Sequence, residues 1–320
     1  MNYSLLLPCE IHVGWGERAR LPRLVAERTQ RVFLITGGRS LAECGVRDAI
    51  ITTLQGEDIE VIGCCSTGAE PTVEEVDAVS AALIEQHATA QDAILAIGGG
   101  SVLDLAKAVS AMVTNAQGRS VREFLEGVGT GAELTHSPVP VIAVPTTAGT
   151  GTEVTKNAVI SVADPACKKS LRAQSMLPVA VVVDPELTVS CPPSVTAASG
   201  MDAITQLIES FLSRRATAFT RMLCLEGLPG TVSALRSAFV DGDNRHAREV
   251  MSHAALLSGM ALANSGLGFA HGVAAALGAI SHVPHGLACA VLLPMALHVN
   301  RAACHDQFSL LAYALVPERS

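Results

Sequence analysis

Aromatic residues are scarce in this chain of 320 residues: one Trp, two Tyr and seven Phe, 3% in all. So little ring surface excludes a base-stacking platform for single-stranded nucleic acid. Charge is also scarce, at 16% of residues with a net −8, and no basic run occurs. A polyanion or an anionic lipid surface has nothing to grip, so neither nucleic acid nor a membrane is expected as a partner. The N-terminal stretch lacks a cationic lead and breaks at Pro8, which does not read as a signal peptide. No apolar run is long and uninterrupted enough to span a bilayer. Nine cysteines are scattered without a C-x-x-C pair, and the adjacent Cys64 and Cys65 read as small strand-end hydrophobes. Reduced thiols and a cytoplasmic location are the expectation. What the chain has in plenty is hydrophobic residues, 49% of a length sufficient for two domains.

Those residues are patterned. Short β-branched runs at 31–36 (RVFLIT), 59–64 (IEVIGC), 93–97 (AILAI), 140–145 (PVIAVP) and 179–184 (VAVVVD) read as strands buried on both faces. Helical spacing occupies 72–86 and 102–114 between them. The alternation predicts an α/β, Rossmann-like parallel-sheet domain over 1–188. The segment SCPPS at 190–194 breaks the pattern, and 189–320 reads as an all-α C-terminal domain.

Four segments carry chemistry. The run AIGGGSVLDLAK at 96–107 delivers three glycines from a strand into a helix. The backbone N–H groups of Gly98, Gly99, Gly100 and Ser101 can converge there on an anion, aided by the helix dipole. Asp104 and Lys107 share a face of that helix and either fix the loop or touch a ligand. The hydroxyl-rich VPTTAGTGTEVT at 144–155 follows a strand, at the carboxyl edge of a parallel sheet where ligands of open α/β folds sit. In SGMDAITQLIE at 199–209, Ser199 and Asp202 look like a helix-capping pair, while Asp202 and Gln206 are four apart on one face. His271 and His285 each stand beside glycine in an apolar, small-residue context. Singly, each fits a satisfied core histidine; with Asp202 they amount to a carboxylate and two imidazoles for a divalent ion.

Together these segments resemble the iron-containing (group III) alcohol dehydrogenase family, over essentially the whole chain. The resemblance implies a dehydroquinate synthase-like architecture and an NAD(P)-dependent oxidoreductase that interconverts a small alcohol and its aldehyde or ketone by hydride transfer. It implies dinucleotide contacts at Gly98, Gly99, Gly100, Ser101, Thr146, Thr147, Thr150 and Asn157, with Lys168 at the position of a cofactor-binding lysine. Asp104, on the glycine-loop helix, is counted with them. Matching the family's metal ligands implies Asp202, Gln206, His271 and His285 around Fe or Zn, with the ion, or the catalytic pair His271 and His285 in its absence, polarising the substrate oxygen. A homodimer is expected.

The chain departs from the family pattern in three places. Gln206 stands where most members have histidine, and an amide oxygen is a poorer donor than imidazole, so a weakly held or absent metal is expected. Ala275, four residues after His271, replaces a second histidine, leaving His282 or water for proton relay. Finally, full-length members continue beyond 320 with further helices, so Phe308, Leu310, Leu311 and Leu315 are expected to expose apolar surface. Cofactor choice is read from Gly37, Gly38, Arg39 and Ser40 after the first strand. No acid is present there to repel a 2′-phosphate, and Arg39 with Ser40 favours NADP over NAD. Two rival functions are a dehydroquinate synthase-like lyase or cyclase, and a cofactor-binding protein with reduced or no catalysis.

Overall fold

The computed structural model describes residues 3–37, 40–65, 70–281 and 283–315. The chain divides into two units: one spans Pro8–Thr146 and Lys156–Asp184, and the other takes in Thr147–Thr155, the described residues from Pro185 onward and the arm before Pro8.

In the first unit, strands β1 (Ile11–Val13), β2 (Arg31–Thr36), β3 (Glu60–Cys65), β4 (Ala93–Gly98), β5 (Val141–Pro145) and β8 (Ala180–Val183) form one parallel sheet in the order β1-β8-β5-β4-β2-β3. Helices α1 (Leu21–Ala26), α2 (Ser40–Glu43), α3 (Val46–Gln55), α4 (Val73–Glu85) and α5 (Gly100–Asn115) make the connections. β4 and β5 are buried along their whole length, as continuous apolar runs between helix layers should be. Phe33, Ile35, Ile94, Ala96 and Ala143 pack with Leu103, Val109 and Met112 of α5 in one core. The chain leaves β2 toward β3 on one side and returns to place β4 on the other. The topological switch point therefore lies at the carboxyl ends of β2 and β4, where Gly37 and Gly98 stand.

Two elements of this unit are not evident from the apolar runs. β1 is a three-residue edge strand, and β6 (Asn157–Val162) with β7 (Cys167–Arg172) is a separate antiparallel hairpin. Buried Lys107 explains how the hairpin is held. Its ammonium pairs with Asp104 Oδ1 at 3.0 Å and donates to the carbonyl of Asn157, while the backbone N–H of Val159 donates to Asp104 Oδ2 at 3.0 Å. The pair fixes a hairpin onto α5.

The second unit is helical: α6 (Pro193–Leu212), α7 (Ala218–Gly227), α8 (Thr231–Val240), α9 (Arg245–Ser265), α10 (Phe269–Ser281), α11 (His285–Asn300) and α12 (His305–Leu315). The capping role expected of Ser199 and Asp202 is corrected. Pro193, preorganised for a first helical position, starts α6, so Ser199 lies mid-helix and returns its hydroxyl to the Val195 carbonyl at 2.7 Å. The Thr147–Thr155 loop is packed tightly on α9. A Cβ at Gly151, whose φ is +62°, would stand 2.4 Å from Gly259 Cα, so only glycine fits. Leu311 is also corrected: with Ala314 one turn on, it is buried against the helical core, whereas Leu310 and Tyr313 on the other face are exposed. No single helix among the described residues is long and apolar enough to cross a membrane.

Candidate metal centre

α6 carries Asp202, Gln206 and Glu209 at spacings of four and three, which sets all three side chains on one face. Against that face come the first turns of α10 and α11. Gly286 lets α11 approach, because a Cβ there would fall 2.2 Å from the Ala198 carbonyl oxygen of α6. His285, one residue earlier, is thereby brought to 3.7 Å (Nε2) from Asp202 Oδ1. The first turn of α10 is capped by Glu209: the N–H groups of Gly268, Ala270 and His271 donate to its carboxylate at 3.1, 2.6 and 3.2 Å. A carboxylate at a helix N-terminus satisfies free donors and meets the positive end of the dipole.

The same carboxylate orients the His271 ring. Nδ1 lies 2.7 Å from Glu209 Oε2, and Nε2, on the opposite edge, lies 3.1 Å from Asp202 Oδ1. Cys289, one turn after His285 on α11, completes the group, its Sγ 3.7 Å from His285 Nε2. One donor atom each from Asp202, His271, His285 and Cys289 lies within 4.8 Å of the others. Three of the four are buried, and His285, with a third of its side chain exposed, is the open side.

Burial pushes the Asp202 carboxyl up, but the His271 hydrogen bond and the nearby imidazoles outweigh it and hold the group below its usual range. Glu209 behaves alike, lowered on balance by His271 and two backbone donors despite burial. Burial pulls His271 down, yet its bonds to Asp202, Cys289 and Glu209 carry it well above 6.5. Both ring nitrogens face carboxylates. Burial raises the Cys289 thiol, against the pull of His271. An oxygen, two nitrogens and a sulfur at these separations fit a divalent transition-metal ion in donor type and spacing.

Two family models cover the chain: "Iron-containing alcohol dehydrogenase" matches residues 8–185, and "Fe-containing alcohol dehydrogenase family, C-terminal" matches 196–319. The chain belongs to the iron-containing alcohol dehydrogenase family. Among curated family members it is 39% identical to a probable alcohol dehydrogenase, EutG, of Escherichia coli over 80% of this chain and 62% of that protein. It is 32% identical to long-chain-alcohol dehydrogenase 1 of Geobacillus thermodenitrificans, over 97% of this chain and 77% of that one. The solved alcohol dehydrogenase of Oenococcus oeni superposes with a TM-score of 0.90 at 29% identity, covering 98% of this chain and 80% of that chain. The chain thus spans less than two thirds of the length of the first of these relatives.

The residues that the family resemblance assigned to a dinucleotide fall as follows. Gly98 ends β4, Gly99 caps α5, and Gly100 and Ser101 open it. A Cβ on Gly98 would meet Val102 at 2.6 Å, so this glycine also serves close strand–helix packing. The N–H groups of Gly37 and Thr146 donate to the Ile97 and Gly98 carbonyls, at 3.3 and 2.9 Å, which aligns the ends of β2, β4 and β5. Glycine-lined backbone at this sheet edge fits a pyrophosphate. Asp104 is engaged with Lys107 and the hairpin, as described. Asn157 opens β6, and Lys168, in β7, pairs with Glu70 at 2.6 Å. Thr147 and Thr150 belong to the loop carried by the helical unit. Ser40 begins α2, whereas Gly38, Arg39 and His282 lie outside the described residues.

Around the metal centre, Asp202, His271 and His285 are brought together. Gln206 lies beside them with its amide nitrogen, not its oxygen, toward Asp202. Sequence reasoning missed Glu209 and Cys289. The signals were present as spacing: Glu209 follows Asp202 by seven residues, and Cys289 follows His285 by four.

Proposed function

We propose that this chain interconverts a small alcohol and its aldehyde or ketone by hydride transfer with a nicotinamide dinucleotide, with a divalent cation held by Asp202, His271 and His285. The observation that carries this reading is the convergence of three helices on one donor cluster, in a chain of this family. When bound, the nicotinamide carries the hydride, and the cation, Fe or Zn, polarises the substrate oxygen.

The chain's own residues do the rest. Asp202 supplies the anionic donor. Glu209 holds the His271 ring so that Nε2 faces the cluster, the arrangement in which a carboxylate behind a ligating histidine fixes its orientation and raises its basicity. His285 borders the open side, where a substrate oxygen has access. Gly98, Gly99, Gly100 and Ser101 offer backbone N–H groups to the pyrophosphate, and Thr146, Thr147 and Thr150 offer hydroxyls. In this reading 1–188 serves the dinucleotide and 189–320 the metal and substrate. The named relatives support alcohol dehydrogenation over the lyase or cyclase alternative.

Within this reading the cofactor is NADP. The support is the sequence TGGRS at 36–40, which lacks an acid and carries Arg39, a guanidinium suited to bidentate phosphate contact. A homodimer in the cytoplasm is part of the same proposal. Elemental analysis of the purified protein, alongside titration with NADH and NADPH, tests metal and cofactor together. The expected result is a divalent transition metal and tighter NADPH binding that weakens in Arg39→Ala. Tighter NADH binding, indifferent to that substitution, would overturn the cofactor assignment.

A further inference from the structure

Gln206 stands where the family pattern calls for a histidine ligand, yet its amide is committed elsewhere. Nε2 faces two oxygens that only accept, the Thr150 carbonyl at 3.3 Å and Asp202 Oδ2 at 3.2 Å, while Oε1 receives the Ser258 hydroxyl at 2.6 Å. Turning the amide over to offer its oxygen to a cation beside Asp202 would set that oxygen against the Thr150 carbonyl, although Ser258, whose hydroxyl also has the Ala255 carbonyl at 2.8 Å, would still accept from the amide nitrogen. The juxtaposition of two acceptors at Thr150 costs buried hydrogen bonding. Gln206 is therefore a brace: it joins α6 to the loop, to α9 and to the back oxygen of Asp202.

Cys289 has what Gln206 lacks. Its side chain is buried, it lies on α11 one turn from His285, and its Sγ falls within 4.8 Å of every other donor of the cluster. In a tetrahedral site with metal–nitrogen and metal–sulfur bonds of about 2.0 and 2.3 Å and a single sulfur, neighbouring donor atoms stand roughly 3.3–3.5 Å apart. The separations of Asp202 Oδ1 from His285 Nε2 and of Cys289 Sγ from His285 Nε2 are both 3.7 Å, and Asp202 Oδ1 to His271 Nε2 is 3.1 Å. These edges need shifts of only a few tenths of an ångström to meet that geometry.

We propose that Cys289 Sγ, and not Gln206, is the fourth protein ligand of the cation site, giving an aspartate, two histidines and a thiolate, with the substrate oxygen entering from the His285 side as a fifth donor, an expansion open to such an ion. The inference rests on the cation site of the proposed function and deepens it. On coordination the sulfur's bond to hydrogen is replaced by its bond to the cation, and the proton leaves to solvent. A thiolate in the set shifts selectivity from iron toward thiophilic ions such as Zn²⁺.

Co²⁺, a spectroscopic substitute for Zn²⁺, tests the assignment in the full chain kept reduced with a non-thiol reductant. Wild type should bind one Co²⁺ per chain with a thiolate-to-cobalt charge-transfer band in the near ultraviolet. Cys289→Ser should lose that band and bind Zn²⁺ more weakly, by at least the roughly tenfold that even an outer partner of a ligand is worth. Gln206→Ala should keep the band. One Co²⁺ per chain without the band, or a band that persists in Cys289→Ser, overturns the proposal and leaves the cation site standing. A wild-type protein that takes up no Co²⁺ or Zn²⁺ overturns both.

Discussion

Replacing Glu209 should damage stability and metal binding together, because one carboxylate caps α10 and holds His271. Four donors meet it: the N–H groups of Gly268, Ala270 and His271, and His271 Nδ1 at 2.7 Å. Summing charged hydrogen bonds at about 1.5–3 kcal/mol each would overstate the loss, since such terms are not independent. The better measure is the cost of removing one partner from a buried ionic network, about 3–5 kcal/mol, and Glu209→Ala should lose that much in urea unfolding at neutral pH. Set against typical stabilities of about 5–15 kcal/mol, this brings the variant close to unfolding. Glu209→Gln keeps one acceptor and turns an NH₂ group toward donors, so about 1–3 kcal/mol is expected. In the folded Gln variant, Zn²⁺ affinity should fall about 10–100-fold, because the ring loses its anionic anchor. Acid titration gives a further check. The Glu209 carboxyl is held below 4.5 in the fold, so its contribution is complete above that pH and fades as pH falls toward the lowered value. The stability of Glu209→Gln should fall less steeply there than that of wild type. A Glu209→Ala protein within about 0.5 kcal/mol of wild type, with unchanged Zn²⁺ affinity, would refute the reasoning.

Other sites yield expectations of the same kind. Arg31 pairs with Asp92 at 2.8 and 2.9 Å, and that bond above all holds the Asp92 carboxyl below 3.8. Asp92→Asn should therefore cost about 1–3 kcal/mol at neutral pH, a deficit that narrows as acid protonates the wild-type carboxylate; a constant deficit down to the acid limit would count against the pairing. Lys107→Met leaves the buried Asp104 without its cation and should destabilise by about 3–5 kcal/mol in denaturant unfolding, with earlier proteolysis of the β6–β7 hairpin than in wild type. Gly151→Ala forces a Cβ to 2.4 Å from Gly259 Cα at a φ of +62°, and a loss of about 3 kcal/mol or more, or insoluble protein, is expected. Wild-type melting behaviour in that variant would contradict the close packing of loop and helix.

How far the sequence could be read follows from where each signal originates. The β2, β4, β5 and β8 runs announce themselves because strands buried on both faces must be apolar throughout. The β6–β7 hairpin does not: CKKSLR at 167–172 carries two lysines and one buried leucine, and the hairpin is held partly by Lys107 and Asp104 on a distant helix. Ser199 and Asp202 misled because serine followed three residues later by an acid also occurs mid-helix, where the hydroxyl bonds back to the preceding turn. His271 and His285 stand out as polar groups in apolar surroundings, but it is the family resemblance that joins them to Asp202 as one site. Glu209 does not stand out, since an acid on a helix ordinarily reads as solvated, and its role depends on donors from residues 268–271. Cys289, inside ACAVLL, reads as one more small hydrophobe until the fold sets it beside His285.

The central claim is that a cation held by Asp202, His271 and His285 drives hydride exchange between a nicotinamide dinucleotide and a small carbonyl compound. The most direct measurement is oxidation of NADPH and NADH by the purified chain against a panel of short aldehydes and ketones. It should be run as isolated, after chelation, and after restoring Zn²⁺ or Fe²⁺, with His271→Ala/His285→Ala in parallel. The account predicts turnover with at least one carbonyl substrate that disappears on chelation, returns with the divalent ion, and is lost in the double variant. Turnover that survives chelation, or persists undiminished in His271→Ala/His285→Ala, would contradict it.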